Sequence, residues 1–113
     1  MGRVEDKSPS ALTKDLEGQV WLILRPIDTF KLSRQLRDQL TELRQTLSEA
    51  RVYAVDYELS ETREEQLSNA AGARELLAKA RANILNASEF DLFSAPDVAH
   101  LTAVVDQVIA KLK

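Results

Sequence analysis

The chain has 113 residues, 29% of them charged and 44% hydrophobic, with a formal net charge of −3 and no cysteine. This is enough for one domain with a modest core. The missing cysteines exclude disulfides, thiol nucleophiles and thiolate metal sites, and the acidic balance argues against a general nucleic-acid binder, which carries a basic excess on one face.

Three glycines and three prolines leave little material for tight β-turns. The longest apolar run, Val20 to Leu24, falls far short of the ~20 residues a membrane span needs. The segment Met1 to Asp6 lacks the apolar core of a signal peptide, and Asp6 stands where an acylation motif wants Ser or Thr. The expected location is cytoplasmic. The reading is all-α, with residues 1–8 a disordered lead and 9–113 one helical domain.

Ser8-Pro9 marks the first helix start, with Ser8 as the cap and Pro9 at the first helical position. Leu12, Leu16, Val20 and Ile23 keep helical spacing over about 9–24. Gly18 weakens this helix by about 1 kcal/mol relative to Ala. Arg25-Pro26 ends it, because the residue before Pro avoids the α region. Trp21 and Leu22 add apolar surface on other faces, which suits either packing on a bundle or docking on a partner.

The next stretch, about 28–60, organises the chain. Leu36, Leu40, Leu43, Leu47, Ala50, Ala54 and Tyr57 alternate spacings of four and three, a seam along one side of a helix. Asp28 or Thr29 could cap its start. With Leu40, Leu47 and Ala54 at heptad position a, Arg37, Arg44 and Arg51 all fall at e, and no acid stands at g. A parallel homodimer through this seam gains no ion pairs, and an antiparallel one opposes Arg to Arg. The seam is therefore expected to be covered by its own chain. Val52, Val55 and Leu59 form a second apolar side, which asks for a further neighbour.

Thr62 and Glu65 have capping-box spacing, so a turn is expected at Leu59 to Glu61, with a continuous rod or a break nearer Asn69 to Gly72 as the alternatives. The following helix, about 63–88, is expected to bury Leu67, Ala70, Ala73, Leu76, Leu77, Ala80, Ile84 and Ala87. Its acids Glu64, Glu65 and Glu75 are expected beside the arginine row. Asn86 to Phe93 reads as a linker containing Phe90, Leu92 and Phe93. Ser94 and Asp97 form a capping box flanked by Phe93 and Val98, starting a last helix over about 95–112. The expected architecture is an antiparallel bundle of three main helices plus a short N-terminal one.

Candidate chemistry is sparse. Asp97 and His100 are one turn apart, as helical metal ligands can be, but the pair occurs once and Asp97 is explained as a cap. No phosphate-loop, dinucleotide or nucleophile-elbow motif is present. No catalytic residue, metal ligand or cofactor is assigned. The leading expectation is a non-enzymatic protein–protein interaction module: an adaptor, small regulator or assembly factor, with homodimerisation open. Its partner-binding residues would be Trp21, Leu22, Val52, Val55, Leu59, Phe90 and Phe93. The alternative is a small-ligand or cofactor-binding bundle with a pocket at Tyr53, Tyr57 and His100.

Overall fold

Four α-helices and one 3₁₀ turn make up the regular structure of residues 7–112, the part of the chain that the computed structural model describes. They are α1 (Pro9–Leu24), the 3₁₀ turn Thr29–Lys31, α2 (Arg34–Leu59), α3 (Arg63–Ser88) and α4 (Ala95–Lys111). No strand occurs among the described residues, and no helix there is long and apolar enough to cross a membrane. The lead expected over residues 1–8 lies, for Met1 to Asp6, outside the described residues.

The helices pack in a ring: α2 lies against α1 and α3, and α4 lies against α3 and α1. With 16 residues α1 is nearly as long as α4 with 17, while α2 and α3 have 26 each. Two helices of 26 residues thus stand beside two of 16 and 17. Leu12, Leu16, Val20 and Leu24 of α1 are all buried, which places this helix in the core. Ser8 Oγ accepts the Ala11 amide at 3.2 Å to start it.

The long helix starts later than Asp28. Asp28 Oδ1 instead accepts the Phe30 amide at 3.1 Å within the 3₁₀ turn, and Ser33 caps α2 by accepting the Leu36 amide at 3.2 Å. The reason lies in the seam. One heptad before Leu36 and Leu40 stand Thr29 and Ser33, so a helix extended backwards would turn polar positions to the core.

Leu36, Leu40, Leu43, Leu47, Ala50 and Ala54 are all buried. Across from them α3 buries Ala70, Ala73, Leu77, Ala80, Ile84 and Ala87, with Leu76 half-buried, whereas Leu67, expected on the same face, is 46% exposed because its position is turned about 100° around the helix from that face. The small residues let two backbones approach closely, and the leucines fill the gaps. A Cβ on Gly72 would stand 2.8 Å from Cε1 of Tyr53.

Polar contacts set which levels of the helices meet. Ser10 donates to the Glu58 carboxylate from its hydroxyl (2.9 Å) and its amide (3.1 Å), and Glu17 pairs with Arg51 further along α1. Between α2 and α3, Asn69 donates to Ser60 Oγ at 3.1 Å and Lys79 pairs with Glu42 at 3.3 Å. Between α3 and α4, Arg74 donates to the Leu112 carbonyl at 3.0 Å and Arg81 pairs with Asp106 at 3.3 Å. The acids of α3 do not meet the arginine row. Heptad position e of α2 faces α1, whereas α3 lies on the g side, where Thr46 is buried and Tyr53 covers Gly72.

Side-chain caps build the corners. Thr62 Oγ1 accepts the Glu65 amide at 3.1 Å, and Glu65 Oε2 accepts from the Glu61 amide at 3.4 Å. Ser94 Oγ accepts the Asp97 amide at 3.2 Å. After α3, Leu92 donates to the Ala87 carbonyl (3.4 Å) and Asp91 to that of Ser88 (3.1 Å), the bonding of a Schellman motif. Asp91 takes the left-handed position with φ 59°, where glycine is preferred. Asp91→Gly is therefore expected to stabilise the protein by about 1 kcal/mol in urea denaturation; a midpoint unchanged or lowered would show that the carboxylate repays the strain.

Candidate functional site

A groove of about 630 Å³ between α1 and α2 gathers several charged and polar side chains. One wall is a stripe of α1 at helical spacing: Lys14, Glu17, Gly18 and Trp21. The other wall is Thr41, Arg44, Ser48 and Arg51 of α2, and buried Val20 and Leu47 lie beneath. Three cations and one acid thus line it, on a chain of net charge −3.

The two arginines are held differently. The Arg44 guanidinium sits 4.6 Å from the centroid of the Trp21 ring, a cation–π contact. Arg51 Nε is 3.5 Å from Glu17 Oε1. That oxygen is buried and accepts no hydrogen bond, so the ion pair is its compensation for leaving water. Gly18 leaves the α1 rim open: a Cβ built there meets nothing within 4 Å.

The residues singled out as partner-facing do not form one surface. Trp21 is 47% exposed in the α1–α2 groove, whereas Leu22 turns to the other side of α1. There it shares a shallow groove of about 260 Å³ with Gln19, Ile23, Asp97, His100 and Leu101. Val52, Val55 and Leu59 are exposed on the C-terminal half of α2, Leu59 at 72%. Phe90 is exposed after α3. Phe93 is not available to a partner: it is 3% exposed, in the core, because it precedes the Ser94 cap and packs under α4.

Tyr53, Tyr57 and His100 are not brought together. The Tyr53 ring lies on Gly72, and the Tyr57 hydroxyl donates to the Lys111 carbonyl at 3.3 Å. His100 lies eleven residues back along α4 from that carbonyl, about 16 Å at 1.5 Å per residue. Among the described residues no group of three or more His, Cys, Asp or Glu side chains could hold a metal ion.

Sequence reasoning missed the groove itself. It noted the arginine row and Trp21 separately, but not that Lys14, Gly18 and Trp21 share one face of α1 and that this face lies beside the row. It also passed over Phe30, which the 3₁₀ turn leaves 88% exposed.

Comparison with known protein families, with curated proteins and with solved structures finds no match to this chain.

The two helical glycines differ in what surrounds them, which gives a direct check on this geometry. Gly18→Ala should stabilise the protein by about 1 kcal/mol, the propensity gain at an open site. Gly72→Ala should lose that gain, because the new methyl group displaces the Tyr53 ring. Equal effects in thermal denaturation would contradict the close approach at Gly72.

Proposed function

We propose that this protein is a non-enzymatic helical interaction module, an adaptor, small regulator or assembly factor acting in the cytoplasm. What carries the reading is the apolar face of α2: Val52, Val55 and Leu59 are exposed together, one to two turns apart, although the chain folds two helices onto α2 elsewhere. Contiguous apolar surface of this kind marks interaction sites more often than isolated exposed residues do. The register of the ion pairs and hydrogen bonds supports an antiparallel, up-and-down bundle, which gives this face a stiff backing. No cofactor enters the reading, and nucleic acid is not the partner it names. Homodimerisation through this face is one form of it.

The test replaces Val52, Val55 and Leu59 together by Glu. All three are solvent-facing, so the helical circular-dichroism signal should persist. Proteins captured from the native lysate, or a dimer seen by sedimentation, should be lost with the triple variant. Identical capture by both forms, with both monomeric, rejects the assignment.

A further inference from the structure

We propose that the groove between α1 and α2 takes an acidic amphipathic helix of a partner protein, held by Arg44, Arg51 and Lys14 around the exposed Trp21 ring. This rests on the interaction-module reading and goes beyond it by naming the occupant's chemistry and its seat.

The spacing of the charges selects the ligand. Arg44 and Arg51 stand one heptad apart on one face of α2, which separates them by about 10 Å along the helix axis. One phosphate or carboxylate cannot bridge both. Acids recurring along the face of a helix can, since such a helix presents a side chain on the same face every turn or two. The α2 wall from Thr41 to Arg51 is about 15 Å long, nearly three turns, which is the reach of a helix anchored through three or four side chains.

The groove also has the apolar centre such a ligand needs. Trp21 offers an aromatic face, and aromatic side chains dominate the energetics of helix-in-groove contacts. Gly18 removes the side chain that would otherwise close the α1 rim. The one acid lining the groove, Glu17, is already paired with Arg51, while Arg44 and Lys14 have no acidic partner among the described residues. The cationic excess is thus local.

Its surroundings decide against a nucleic acid. Asp38, Glu49 and Asp56 are exposed on the same helix, α2, at heptad positions f and c. A continuous polyanion would meet these acids as well as the arginines. A peptide helix carries its acids on chosen positions and avoids them.

The experiment uses the full chain and a designed probe: a labelled peptide about three heptads long, with Leu at a and d and Glu at e and g. A twin with Lys at e and g is the control. Trp21 is the sole tryptophan, so its fluorescence reports on the groove directly. The acidic peptide should shift Trp21 emission and bind in a salt-sensitive way, and the basic twin should do neither. K14Q/R44Q, which leaves the Arg51–Glu17 pair intact, should weaken binding by roughly tenfold, the effect of two exposed charge pairs. Gly18→Leu should abolish binding while raising the melting temperature, since a Cβ there meets nothing within 4 Å and leucine improves helix propensity.

Equal binding of the two twins, or unchanged binding by Gly18→Leu, overturns the proposal. So does tighter binding of duplex DNA than of the acidic peptide. Self-association abolished by Gly18→Leu would install a second copy as the occupant instead, with the exposed Glu61, Glu64 and Glu65 corner as its acidic element. If neither peptide binds but the Val52, Val55 and Leu59 variant still loses captured proteins, the groove assignment fails and the interaction-module reading stands.

Discussion

The leucine and alanine seam of α2 must be kept from water on both flanks at once, and the other three helices are arranged to meet that demand. A lone helix of 26 residues is marginal in water, and each leucine of its seam is worth about 2 kcal/mol only when covered. The alanine face of α3 covers one flank at close range. The leucine and valine row of α1 covers the other. The last helix, α4, then closes the ring against α1 and α3, and Phe93 is drawn into the core where α4 begins.

This closure leaves the chain little freedom at its corners, and each corner is tied by a short polar side chain. Ser8, Ser33, Thr62 and Ser94 cap the four helices in turn. The one corner with an unfavourable residue, Asp91, holds its left-handed backbone through two hydrogen bonds to the end of α3. Local chemistry thus sets where helices start and stop, and the seam sets which of them touch.

The groove is a by-product of the same arrangement. The contacts between α1 and α2 are made by residues spaced a turn apart on each helix, and between the two ridges lies space. On α1 that space is widened by Gly18. On α2 it is lined by the e positions, which in a bundle of one chain need not pair with each other. Arginines placed there are free to be used elsewhere: Arg51 compensates a half-buried acid, and Arg44 stacks on Trp21. A cationic, aromatic surface results on an otherwise acidic protein.

The sequence by itself determined the helices and their faces, because caps and the three-and-four spacing of apolar residues act over distances of one or two turns. Ser8-Pro9, Thr62 with Glu65, and Ser94 with Asp97 are legible for that reason. It placed the start of α2 too early because Asp28 is an equally good local cap, and only the polar Thr29 and Ser33 at seam positions, judged against a core, rule it out. Tertiary structure alone decided which helix faces the arginine row, that Phe93 is buried, and that Tyr53, Tyr57 and His100 stand apart. Those outcomes depend on which flank of α2 each neighbour occupies, and a periodic pattern gives the flank its character but does not say which neighbour will cover it.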